Sequence, residues 1–146
     1  MNRILSKFSL VIALTLITAG VWAQTQTKAM RATIPFDFVI NNKLVPAGTY
    51  TVSSEATRSE IVKFSNPAGN EQMFSTVVPE SPSNSQGNAL VFHKYGDRYF
   101  LSEIRCQNCS MNSSLPVSKS EKWAKTQTQD TAVTEWPAND ILIALK

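Results

Sequence analysis

The chain has 146 residues, with 14 Lys plus Arg against 11 Asp plus Glu, a formal net charge of +3 and 42% apolar residues. These proportions belong to one globular domain rather than to a disordered chain. Removing residues 1–23 takes away Arg3 and Lys7 alone among the charges, leaving 12 cations against 11 anions, a net of about +1. That balance excludes the broad basic face of a nucleic-acid binder, although the sequence pI is near 9.0.

Residues 1–23 read as a signal peptide: Arg3 and Lys7 form a basic start, residues 8–21 an apolar run, and Val21-Trp22-Ala23 a small-residue cleavage site. Cleavage between Ala23 and Gln24 is expected. The apolar run of 14 residues is too short to be a membrane anchor, which needs about 20. A lipid anchor would require a cysteine directly after the cleavage site, whereas Cys106 and Cys109 lie far downstream. The mature chain is therefore expected to be exported, periplasmic or extracellular, with no membrane span.

Residues 24–31 are polar and read as a flexible leader, followed by a single β-rich domain over 32–146. Residues 32–40 place Ile34, Phe36, Phe38 and Ile40 on one face at period two, which predicts a first strand. Asn41-Asn42 tolerates the positive φ of a tight turn, so 43–45 returns as a hairpin before Pro46-Ala47-Gly48 turns again. Residues 49–53 alternate, with Tyr50 and Val52 directed inward. Residues 61–65 and 72–78 flank the turn-forming run 66–70 and predict another antiparallel pair. The Pro/Ser/Asn/Gly-rich segment 79–88 reads as a loop.

Gly96-Asp97 joins residues 89–95 to 98–105 in the clearest hairpin of the chain, with His93 opposite Phe100 and Phe92 opposite Leu101. Both faces of this hairpin carry large apolar groups, so it is expected to lie centrally in a sandwich or a partly closed barrel. Ser118-Lys119-Ser120-Glu121 has the spacing of a capping box, in which hydroxyl and carboxylate satisfy the first free amides of a helix over 118–127. Residues 141–145 read as a last strand, with a terminal helix as the alternative. Trp123 and Trp136, outside the strands, are candidates to cover one end of the sheet assembly.

Ile34-Pro35-Phe36-Asp37-Phe38-Val39, Leu44-Val45-Pro46-Ala47-Gly48-Thr49-Tyr50-Thr51-Val52, the run from Leu90-Val91-Phe92-His93-Lys94-Tyr95-Gly96-Asp97 to Arg98-Tyr99-Phe100-Leu101-Ser102-Glu103-Ile104, and Leu115-Pro116 with Ser118-Lys119-Ser120-Glu121 follow in an order that resembles a family of small, uncharacterised exported proteins of soil bacteria. The resemblance spans residues 34–122 and implies export and a shared β fold. It brings no activity, ligand or catalytic residue with it. The Cys106-Gln107-Asn108-Cys109 pair and the tail after Thr126 depart from that pattern.

Cys106 and Cys109 are the only cysteines. In an oxidising compartment an even count predicts that they pair with each other. A thioredoxin-like site needs its CxxC at a helix N-terminus, and no helical pattern starts at Cys109. Covalent haem needs His after the second Cys, where Ser110 stands, and zinc needs about four ligands where two thiols and the distant His93 are offered. His93 is the only histidine, and its apolar hairpin neighbours favour a packed sheet residue over a general base. No Gly-x-Ser-x-Gly elbow supports a hydrolase.

Asp97 with Glu103, and Glu55 with Glu60, read as solvated charges rather than a catalytic pair, and Asp37 as exposed. The strand-spaced aromatics read as core before pocket. Asn108-Cys109-Ser110 and Asn112-Ser113-Ser114 match the glycosylation pattern and imply an exposed loop. The expectation is a mainly β protein, an antiparallel sandwich or small partly closed barrel of about seven strands with one short C-terminal helix. No catalytic, cofactor-binding or metal-binding residue is assigned. The leading function is a non-enzymatic binding or structural module of the cell envelope, its partner an envelope protein or small apolar ligand. A barrel carrier of such a ligand and a thiol-disulfide protein are the alternatives.

Overall fold

The computed structural model describes residues 29–55, 58–81, 87–107, 109, 111–131 and 139–146. The signal segment with its Ala23–Gln24 junction, leader residues 24–28, loop residues 82–86, Asn108, Ser110 and Trp136 lie outside them. Strand β1 (Ala29–Ile34) alternates strictly and buries Met30, Ala32 and Ile34. Residues 29–31, expected in the leader, are thus part of the sheet. Strand β1 pairs antiparallel with β4 (Gly48–Glu55), where Tyr50 and Val52 are buried as their alternation requires.

The continuous strand expected over 32–40 is broken. Pro35 has no N–H to give a ladder, and the Asp37 carboxylate accepts a hydrogen bond from the Ala47 amide at 2.8 Å, turning the chain through a corner. It resumes as β2 (Phe38–Ile40) in a different sheet, with all three residues buried. Asn41 and Asn42, at φ of 51° and 64°, form the two-residue turn into β3 (Lys43–Val45).

Strands β5 (Arg58–Asn66) and β6 (Glu71–Thr76) complete a four-stranded sheet of order β1-β4-β5-β6. Their turn is held by the Asn66 side chain, whose oxygen accepts the Ala68 and Gly69 amides at 3.0 and 3.4 Å. The second sheet is built on the hairpin of β8 (Ala89–Tyr95) and β9 (Arg98–Arg105), with Gly96 at φ 59° in the turn. Its register places His93 opposite Phe100 and Phe92 opposite Leu101, as the two-residue turn demands. The last strand, β11 (Asn139–Ala144), lies on the outer side of β8.

The other side of β9 is shared. Val39 pairs parallel with Phe100, while β10 (Ser113–Ser114) pairs antiparallel with Glu103 and Ile104 and continues the sheet to β7 (Val78–Pro79). Eleven strands are therefore described where about seven were expected, because the first divides and short pieces pair at the margins. The Val39–Phe100 contact makes this sheet mixed rather than wholly antiparallel.

A curled sheet forms a half-barrel. At one seam Arg31 and Lys146 exchange both backbone hydrogen bonds, at 2.8 and 2.9 Å; at the other the Val77 amide donates to the Glu60 carbonyl at 2.8 Å. Between them Tyr50, Phe38, Phe64, Phe92, Ile34 and Leu90 are completely buried. Phe92 meets Phe36 and Phe38 edge-on at 5.3 and 5.4 Å, and Phe38 meets Tyr50 at 5.6 Å. Such pairs add directional attraction to large apolar burial. The polar end of Tyr50 is satisfied by donating to the Pro46 carbonyl at 2.7 Å, and burial raises its pKa.

Candidate functional site

The single described helix, α1 (Lys119–Thr131), runs beyond the expected end at 127. Its underside packs on the outer face of the second sheet, where Ala124 joins Val39, Phe100 and Tyr95 in a small apolar cluster. One local and one distant group secure the helix start. The Ser118 hydroxyl accepts the Glu121 amide at 3.2 Å, which is half of the expected capping box. The Ser120 amide donates to the Asn42 side-chain oxygen at 2.9 Å, so the β2–β3 turn caps the helix from outside.

The other half of the box goes elsewhere. The Glu121 carboxylate, only 6% exposed, meets His93 Nδ1 at 2.9 Å, and Asp140 on β11 lies 3.7 Å from Nε2. Either partner would give the carboxylate a charge-assisted hydrogen bond, but the imidazole can also carry the opposite charge, which a backbone amide cannot. The hydrogen bond to Glu121 raises the His93 pKa above 6.5; partial burial opposes this, while Glu121, Asp140 and Glu103 add electrostatic attraction. Through these two carboxylates the ring links α1 to β11 across the outer face of the sheet. Tyr95, beside His93, is pushed up chiefly by burial. The sequence placed Glu121 in the cap and His93 among apolar neighbours, and nothing local in either segment signals their pairing.

Cys106 and Cys109 are joined as a disulfide with their Cα atoms 5.6 Å apart, directly after β9. Cys106 is buried, with its sulfur 3.7 Å from that of Met30. Among the described residues the helix begins only at Lys119, ten residues beyond Cys109. The second glycosylation pattern does not lie in an exposed segment as expected, while Asn108 and Ser110 of the first lie outside the described residues. Asn112 and Ser113 are 7% and 3% exposed. The Asn112 side chain accepts the Cys106 amide at 3.3 Å and donates to the Ser81 carbonyl at 2.9 Å, tying the disulfide loop to the end of β7.

Of the two acidic pairs considered, Glu103 instead binds Arg105 at 2.8 Å, and Asp97 and Glu60 are exposed. Glu55 ends β4 as backbone. Phe74 departs from the aromatic core, at 57% exposure, and Trp123 covers no end of the assembly, at 60%. A shallow groove of about 390 Å³ opens at the Arg31–Lys146 seam, lined by Pro35, Leu142, Ile143 and Ala144 together with Arg31, Thr33 and Lys146. Among the described residues no helix is long and apolar enough to cross a membrane. Comparisons with family models, curated proteins and solved structures find no match.

Proposed function

We propose that this chain is an exported, non-enzymatic binding or structural module of the cell envelope. One observation carries the reading: the half-barrel interior is filled by its own side chains, Phe38, Tyr50, Phe64 and Phe92 among them, so the molecule's recognition surface is its exterior. The disulfide and the signal-like N-terminus support export. His93, held as a clamp between α1 and β11, supports a positional role for the sole histidine.

A carrier of a small apolar ligand is the second reading, and the groove beside Leu142 and Ile143 favours it. Native mass spectrometry of the protein purified from its own envelope fraction, with and without reductant, tests both. Bare protein with an intact, unreactive disulfide is the expected result. A retained small molecule overturns the first reading in favour of the carrier, and a reactive thiol with depressed pKa in favour of a redox role.

A further inference from the structure

Helix α1 has an unusual division of its charges. Its one carboxylate among the described side chains, Glu121, is turned under into the sheet, while Lys119, Lys122 and Lys125 all face solvent. Lys119, Lys122 and Trp123 stand at i, i+3 and i+4 and so share one face, and Trp123 keeps 60% of its surface exposed. The Thr126 and Thr128 hydroxyls turn back onto the Lys122 and Ala124 carbonyls at 3.0 and 2.9 Å. Just before the cap, Val117 is 52% exposed, and Leu44, beyond the Asn42 turn that touches the helix start, is 65% exposed. The outer face of the helix thus combines the Lys119 and Lys122 ammonium groups with one indole and apolar neighbours, Lys125 stands exposed at its flank, and the acid described at the helix start, Glu121, is withdrawn.

We propose that this face of α1 docks on the surface of an anionic phospholipid bilayer, the lysines on lipid phosphates and the Trp123 indole at the headgroup boundary. This rests on the envelope reading and names its partner. Charge complementarity decides the occupant: an amphipathic ring among lysines suits a wet, negatively charged interface, where each cation contributes about 1 kcal/mol, or about fivefold in partitioning. The clamp beneath, Glu121 on His93, holds the helix so that this face points outward.

The test is co-sedimentation of the purified protein with vesicles of phosphatidylglycerol and phosphatidylcholine, compared with phosphatidylcholine alone, while tryptophan emission is recorded. Binding only to the anionic vesicles is expected, with a blue shift that disappears in Trp123→Phe. The triple variant Lys119→Gln, Lys122→Gln, Lys125→Gln should lose roughly a hundredfold in partitioning; glutamine keeps helix propensity, and circular dichroism confirms folding. A charge-matched control in the other sheet, Arg31→Gln, Arg58→Gln, Lys63→Gln, should retain binding. Equal losses in both triple variants, equal binding to neutral vesicles, or sedimentation without a Trp123 shift would each overturn the proposal. Cell fractionation separates the two levels: an envelope protein that ignores anionic vesicles refutes the docking surface alone, and a cytoplasmic one that binds them refutes the envelope reading.

Discussion

Replacing Glu121 by Gln removes a charge from the helix–sheet clamp while keeping its shape. The Glu121 side chain is 6% exposed and that of His93 25%, at 2.9 Å, so the pair lies between exposed ion pairs, about 0–1 kcal/mol, and fully buried ones, where losing a partner costs about 3–5 kcal/mol. An amide still bonds the ring, so only the charge-assisted part of the interaction is lost, about 1–1.5 kcal/mol. For a domain of this size that is roughly 3–6 °C in Tm.

The sign with pH follows from His93. Its pKa is raised above 6.5 in the fold, first by the hydrogen bond to Glu121, so its contribution is complete below pH 6.5 and is lost as pH rises through the folded value. Urea unfolding followed by circular dichroism at pH 6 and pH 9 should therefore show Glu121→Gln less stable at pH 6, with the gap narrowing at pH 9. A gap of the same size at both, or none at pH 6, would refute the clamp.

Phe92→Ala should cost about 3–5 kcal/mol, a large share of the stability of an ordinary domain, because the ring is wholly buried and loses its edge contacts with Phe36 and Phe38; the urea midpoint measures it. Trp123→Ala, at a position 60% exposed, should stay within about 0.5 kcal/mol of the parent in the same assay. Reducing the Cys106–Cys109 bond, which spans a sequence separation of only 3, should lower stability by about 2 kcal/mol or less, seen as a small Tm shift in a calorimetric scan with reductant.

The hairpin at Gly96-Asp97 was legible as far as Phe92 and Leu101 because a two-residue turn pins register there, but the bulge beyond, which sets Val91 opposite Glu103, left no mark in the apolar pattern. Tyr50 and Val52 were legible by alternation, and the turn at Asn41-Asn42 by its tolerance of positive φ. The corner at Pro35 was not, since the period-two pattern of Ile34, Phe36, Phe38 and Ile40 continues straight across it. The pattern records burial, and both strands bury the same face into one core, so it is blind to the change of sheet.

The helix junction was hidden for another reason. Its contacts join residues 28 and 78 positions apart, His93 with Glu121 and Asn42 with Ser120. Each of those polar residues has an adequate local role, which is the one that sequence spacing suggests. Asn112 was misplaced likewise: a glycosylation pattern describes three adjacent residues and says nothing of the carbonyl and amide that wait for the side chain across the loop.

The exchange of hydrogen bonds between Arg31 and Lys146 sets an order of events. Partners so far apart in the chain meet late, since loop closure must precede the contact that rewards it, and folding slows accordingly. Until β11 reaches β8, and Lys146 reaches β1, two rows of backbone donors and acceptors stand open. Open ladder edges invite pairing between chains, so the interval before closure is the one in which this protein is most prone to aggregate.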